Sequence, residues 1–235
     1  MSSDSADFKK IILIAMITLI CLHVIMPKSV YALSKSLYVI PHFSASGEGT
    51  LISAYGIKHA PTYLIYEGTE RVPLYGWGPI DLAVDSQSKT LFITYESSNI
   101  IQVVNATTLA AVGTITAPNA GNLAGIVYDN DKGLLYTVDR KTDDLFVFQQ
   151  NPDTYLPTFK SQLNLIYTSL AYGIALDEIN DMLYVADGEM SHKFDWYDTD
   201  TRAHLGTKIT DHAVVGIAVN AKNGLVYTSG AWSDY

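Results

Sequence analysis

From residue 79 onward the chain alternates short apolar runs with clusters of turn-forming residues, and the alternation has a long period. Four segments align without gaps: DLAVDSQSKTLFIT from Asp81, GIVYDNDKGLLYTV from Gly125, GIALDEINDMLYVA from Gly173 and GIAVNAKNGLVYTS from Gly216. An acidic or amide residue recurs at Asp85, Asp129, Asp177 and Asn220, roughly 45 residues apart, and a fixed period of that size marks a repeat architecture. An aromatic follows at a constant offset, at Phe92, Tyr136, Tyr184 and Tyr227. Each unit predicts strand, turn, strand. The Asp or Asn ends the first apolar run, and its side chain can bond its own backbone two residues on. Stretches such as Asp129-Asn130-Asp131-Lys132-Gly133 have the composition and length of hairpin loops.

A third strand is predicted at Ile101–Val104, Leu145–Phe148 and Phe194–Tyr197. A fourth follows the D/N-x-x-T turns at Asn105 and Asp198, over Val112–Ile115 and Leu205–Ile209. Four strands in about 45 residues make one blade of a β-propeller, so the predicted fold class is all-β, a propeller of four-stranded blades. The glycines at 125, 173 and 216 suit inner strands that crowd toward an axis, where a missing Cβ lets backbones approach. In the first aligned unit Asp81 holds that place. Upstream, Leu37–Ile40, Leu51–Tyr55 and Tyr63–Tyr66 read as three strands of a divergent first blade, as terminal repeats often are. The expected organisation is a single propeller domain over 33–235, with blades at about 37–78, 79–120, 121–171 and 172–213 and a partial one over 214–235.

The N-terminus changes the picture of where the protein acts. Lys9 and Lys10 precede an uncharged run from Ile11 to Met26, which Pro27 and Lys28 break. Ser29-Val30-Tyr31-Ala32 then offers small or apolar residues at the cleavage positions. A basic start, a short apolar core and such an end predict a secretory signal over 1–32, with an uncleaved membrane anchor through 11–26 as the alternative. The run is shorter than the roughly 20 residues a membrane span needs. Either way the body is expected outside the cytoplasm, secreted or on the cell surface. The single cysteine, Cys21, lies in this run with Ile20 before it, a poor lipoprotein site, so a cleaved chain has no disulfide and no thiolate chemistry.

Charge narrows the partners. Lys and Arg total 15 against 24 Asp and Glu, a net charge of −9, and so acidic a surface excludes nucleic acid as the expected ligand. With 48% hydrophobic residues the chain can bury a core, and 16 Tyr against 7 Phe suit half-buried pleated surfaces.

The recurring G-[IV]-A-[VL]-D and LYVAD motifs, best preserved at Gly173–Asp177 and Met182–Asp187, resemble those of the NHL/YncE-like (YVTN-type) propeller repeat superfamily. The resemblance covers residues 79–235 and implies six or seven blades around a channel, extracytoplasmic or scaffold use, and binding on one rim. Its relatives include binding modules, lactonases and lyases, so no single activity follows. One departure stands out. The residues after Ala32 suffice for only about 4.5 blades, an incomplete ring. That shortfall points to a truncated product, with a smaller ring or closure by a second copy as alternatives.

Loops between blades, and those between second and third strands, meet on one rim in such folds. They carry Trp77 and Asp81, Tyr95 and Glu96, Asp139 and Arg140, Asp187 and Glu189, and Asp211 and His212. The candidate ligand-binding residues are Trp77, Asp81, Glu96, Asp139, Asp187 and His212; no catalytic residue and no metal ligand is assigned. Converging carboxylates could hold a divalent cation such as calcium, but Asp139 and Asp187 equally suit turn closure. Asp81 draws attention because it breaks the glycine column, although a solvated loop residue would explain it too. The histidines at 42, 59, 192, 204 and 212 lack zinc-site spacing, Gly47-Glu48-Gly49 lacks the third glycine of a dinucleotide loop, and no nucleophile elbow or P-loop occurs. Asn105-Ala106-Thr107 fits a glycosylation sequon, and a turn already explains it. The Tyr column is read as packing between blades. The expected function is an exported propeller that binds a protein or glycan on its rim without a cofactor. The alternatives are a divalent-metal-dependent lactonase- or lyase-like enzyme and a non-functional fragment.

Overall fold

The computed structural model describes residues 35–40, 50–59, 62–151, 153–154, 156–188 and 191–230. The signal or anchor over 1–32, Cys21, His42, the Gly47–Gly49 turn and Glu189 lie outside the described residues. What is described is all β-structure, arranged as five antiparallel sheets that follow one another along the chain.

The first sheet has three strands, β1 (Lys35–Val39), β2 (Thr50–His59) and β3 (Thr62–Val72), in the order β1-β2-β3. The second runs β4 (Pro79–Asp85), β5 (Thr90–Tyr95), β6 (Ile100–Asn105) and β7 (Ala111–Thr116). The third is β8 (Leu123–Asp129), β9 (Leu134–Asp139), β10 (Asp144–Gln149) and β11 (Thr158–Asn164). The fourth is β12 (Ile174–Asp177), β13 (Met182–Ala186), β14 (Lys193–Asp198) and β15 (His204–Ile209). A pair, β16 (Gly216–Asn220) and β17 (Leu225–Ser229), forms the fifth. The sequence pattern identifies every strand after residue 79 except β11, where residues 150–157 replace the D/N-x-x-T turn and a mostly polar, exposed TFKSQLN shows no apolar alternation.

Consecutive sheets touch through their first strands, β4 against β8, β8 against β12, and β12 against β16. The sheets therefore fan out from one side, as blades around an axis. Between them lie continuous apolar layers. Phe92 and Ala83 of the second sheet pack on Ile126, Tyr128 and Leu135 of the third. Tyr136 and Val138 of the third pack on Ile174, Leu183 and Tyr197 of the fourth. Ala175 and Tyr184 of the fourth pack on Val214 and Ile217. Each large side chain fully buried in such a layer stabilises the fold by about 1.5–3 kcal/mol.

One turn type closes most hairpins. Asp85, Asn105, Asp129, Asp139, Asp177 and Asp198 each accept backbone N–H bonds through Oδ1 from the residues two and three positions on, at 2.7–3.1 Å. Asn220 accepts from Lys222 at 3.2 Å. Four positions after each of these stands a residue with left-handed φ: Lys89, Leu109, Gly133, Asp143, Asp181, Arg202 and Gly224. Only two of these are glycine, so the side-chain bonds hold five non-glycine residues in a backbone region that L-residues seldom adopt.

The glycine column has the anticipated cause. A Cβ on Gly125 would lie 2.6 Å from the Tyr172 carbonyl oxygen and 2.9 Å from the Ile174 nitrogen. The same approach lets Gly125 N–H donate to Tyr172 O at 2.8 Å.

Candidate functional site

On one rim loop-to-loop backbone bonds extend the sheets, and Leu123 N bridges to the neighbouring sheet by donating to Ser98 O at 3.0 Å. Ala117 N donates to Asn99 O, Arg140 N to Asn122 O, Leu165 N to Asp143 O and Thr210 N to His192 O, at 2.8–2.9 Å. Each bond joins a connection between sheets to a hairpin between second and third strands. Five of the six candidate residues stand in or beside these loops, and Asp81 lies within β4.

Trp77 sits in the connection from β3 to β4. Its backbone is fixed, because Trp77 N donates to Glu96 O at 3.0 Å and Glu96 N donates to Gly78 O at 2.9 Å. Gly76 lies so close to Tyr95 and Glu96 that a Cβ there would stand 3.0 Å from Tyr95 Cβ. On this rigid loop the Trp77 side chain is 79% exposed. Glu96 Oε1 is 3.8 Å from an Arg140 guanidinium nitrogen, and the Arg140 guanidinium lies 4.5 Å over the Tyr172 ring. Tyr172 ends the connection from β11 to β12, whose tip exposes Ile166, Tyr167 and Leu170. Side-chain contacts thus run along the rim from the second sheet to the fourth.

Asp81 is neither a loop residue nor solvated. It lies in β4, 8% exposed, with Oδ1 accepting from Leu82 N at 2.8 Å and Oδ2 from Ile126 N at 3.0 Å. Where Gly125 and Gly173 bring two backbones into direct contact, this unit spans the gap with a carboxylate. Its neighbour Thr94 reinforces the join by donating to Ala124 O at 2.6 Å.

Asp139 is completely buried and saturated. Oδ1 closes the Lys141–Asp143 turn, and Oδ2 accepts from Gly121 N at 2.8 Å and Asn122 N at 2.6 Å. Asp187 is also completely buried; its Oδ1 accepts from Ser169 N and its Oδ2 faces Lys193 Nζ at 3.0 Å. Burial pushes the Asp187 carboxyl above its ordinary range, with Lys193 and Ser169 pulling the other way. His212 bonds Asp211 through Nδ1 at 2.7 Å and Thr228 through Nε2 at 3.0 Å, and the histidine holds the Asp211 carboxyl below its usual value. The rim carboxylates therefore serve backbone amides and nearby cations rather than a common point. Among the described residues no three His, Cys, Asp or Glu side chains are arranged to hold a metal ion.

A polar cluster that sequence reasoning passed over lies beneath this rim. Asp195, in the middle of β14 and fully buried, meets His204 Nε2 at 3.0 Å, Thr168 Oγ1 at 3.2 Å and the Thr207 hydroxyl, with Lys193 Nζ at 3.8 Å. Tyr167 stacks on His204 with ring centroids 4.0 Å apart. Burial raises the Tyr197 phenol to about 12, with Thr168 opposing. Asp195 and the Thr207 hydroxyl both approach Nε2 of His204, whereas a proton relay needs the acid and the hydroxyl on opposite ring nitrogens. A visible signal did exist in the sequence: a carboxylate in Phe194-Asp195-Trp196-Tyr197, at a position the strand pattern buries.

No protein-family model matches the chain, and no curated protein matches it. Solved structures resemble it in fold. A candidate 6-phosphogluconolactonase from Bacteroides uniformis matches with a TM-score of 0.65 at 17% identity, over 84% of this chain and 61% of that one. This chain thus spans less than two thirds of that protein's length. A protein from Lactobacillus plantarum gives 0.57 at 12% identity, over 86% of this chain and 69% of that one. The Cps50 (Swd1) β-propeller domain of Myceliophteria thermophila gives 0.58 at 7% identity, over 77% and 62% respectively. Identities this low carry the architecture and nothing about activity. Radial sheets, their touching first strands and these likenesses together establish a β-propeller fold.

Proposed function

We propose that the protein is an exported β-propeller of the NHL/YncE-like kind, used as a binding or scaffold module whose rim takes a protein or glycan ligand. One observation carries the reading: a Trp side chain 79% exposed on a loop whose backbone is locked to the neighbouring hairpin. An exposed indole on a rigid frame costs solvation without adding to the core, and it loses little entropy on docking, which is the profile of a binding anchor. On another connection of the same rim Ile166, Tyr167 and Leu170 are also exposed, and the aliphatic members suit a protein partner better than a sugar. The divalent-metal lactonase or lyase alternative draws no ligand set from the described residues.

The test is binding by the full-length protein, secreted or solubilised, across protein and glycan arrays. At least one specific ligand is expected, and Trp77→Ala should weaken it ten-fold or more while the melting temperature stays put. A clean blank across both arrays, or full binding by the variant, counts against the rim as the site. Export is checked by N-terminal sequencing, where processed material should begin at Leu33; a cytosolic chain retaining Met1 refutes it.

A further inference from the structure

The opposite rim carries an unabsorbed sequence motif. Asn105-Ala106-Thr107 is the one Asn-x-Ser/Thr sequence in the chain, and it sits at the hairpin from β6 to β7. That hairpin bonds to the one from β4 to β5 through Ala106 N and Lys89 O at 2.8 Å, on the far side of the sheet from Trp77. The turn alone does not explain the amide. It uses only Asn105 Oδ1, which accepts from Thr107 N and Thr108 N at 2.9 Å each. The equivalent turn in the fourth sheet is closed identically by the carboxylate of Asp198, with Thr201 in the place of Thr108. An acceptor oxygen is all the fold requires, and five of the seven such turns supply it with Asp. At Asn105 the nitrogen is surplus. Among the described residues Nδ2 finds no hydrogen-bond partner, and it is not one of the fully buried side-chain atoms left without one, so it retains access to solvent. Its surroundings leave room for a bulky group, since Thr107, Thr108, Ala110, Ala111 and Val112 are all exposed.

We infer that Asn105 is an N-glycosylation acceptor, modified on Nδ2 by an oligosaccharide delivered from a polyprenyl-diphosphate carrier outside the cytoplasm. The inference rests on the export proposed above. In the transfer Nδ2 attacks the anomeric carbon of the carrier-linked sugar, a C–N bond forms and the C–O bond to diphosphate breaks. The amide proton passes to a base of the transferase, and polyprenyl diphosphate leaves; no redox change occurs. Thr107 supplies the hydroxyl the sequon needs. Placed there, the glycan points away from the Trp77 rim and leaves it open to a ligand.

The experiment is peptide mapping by mass spectrometry of the full chain purified from its own cells, together with N-terminal sequencing of the same sample. The peptide spanning Asn105 should carry a glycan mass increment. Thr107→Ala and Asn105→Asp should each abolish it completely. Asn105→Asp should also keep the wild-type melting temperature, since an Asp closes the same turn at 198. Exported protein with Asn105 bare overturns the inference and leaves the export reading intact. Unmodified chain retaining Met1 in the cytosol overturns both.

Discussion

The β8–β9 hairpin of the third sheet and the β16–β17 pair follow one repeat pattern and end in different environments. GIVYDNDKGLLYTV is buried at every position of β8 and β9, whereas GIAVNAKNGLVYTS is half-open, with Leu225 50% and Tyr227 53% exposed. Tyr136, in the same column, is 1% exposed because β12–β15 lies against it. Among the described residues no sheet lies beyond β17. Burial in a repeat thus belongs to the neighbour as much as to the residue, and identical side chains differ in energetic weight according to what covers them.

The largest test of this contrast pairs two truncations. Tyr136→Ala should cost about 3–5 kcal/mol, and Tyr227→Ala less than about 1 kcal/mol, read from denaturant midpoints. Equal losses would mean that β17 is covered in solution, and the contrast would disappear. Next in size is Gly125→Ala, where the new methyl group meets the Tyr172 and Ile174 backbone and the Ile174 Cγ2 methyl. A loss of about 1–3 kcal/mol is expected, and a neutral result would show that the inner strands separate more easily than their contacts imply. Asp81→Ala leaves Ile126 N–H buried without its acceptor, which should cost about 1–3 kcal/mol. Asp81→Asn, which keeps one acceptor oxygen, should recover part of that loss.

The smallest effect is a pH slope. Burial raises the Asp187 carboxyl, so between its unfolded value near 3.9 and its higher native value the folded state holds the extra proton. Stability from this group is therefore full below about pH 4 and is lost as pH rises through the native value. Asp187→Asn has no proton to lose and should flatten that part of the profile of melting temperature against pH; an unchanged slope would assign it to other groups, such as Asp129, which burial also raises.

Much of this molecule is legible before any coordinates. Turn chemistry is local: an Asp or Asn oxygen reaches amides two and three residues away, so Asp85, Asp129, Asp177 and Asn220 announce their hairpins in one dimension. β11 escapes because nothing local marks it: a longer connection precedes it and its residues face water. β3 runs to Val72, well beyond the stretch read from Tyr63 to Tyr66, since its pairing with β2 carries polar residues along. At the candidate site, the Oδ1 bonds of Asp139 follow from the turn pattern, but its Oδ2 bonds to Gly121 and Asn122 belong to the preceding connection. Asp81 could be noticed as an exception to the glycine column; that its carboxylate joins two sheets depends on where Ile126 lies. The Asp195, His204 and Thr207 cluster assembles across β14 and β15, and the buried carboxylate was its sole hint.

By itself, the sequence determined the repeat, the strands of each unit after residue 79 apart from β11, and the turns closed by an Asp or Asn, because these arise from period-two patterning and from bonds spanning three residues or fewer. Tertiary structure alone decided which of four equivalent aromatics is left uncovered, which carboxylates bind backbone across a gap, and that Trp77 stands in water on a fixed loop. The physical reason is range. Those outcomes are settled by atoms roughly 20 to 45 residues away, in another strand or blade, and no local property of the chain encodes a neighbour's surface.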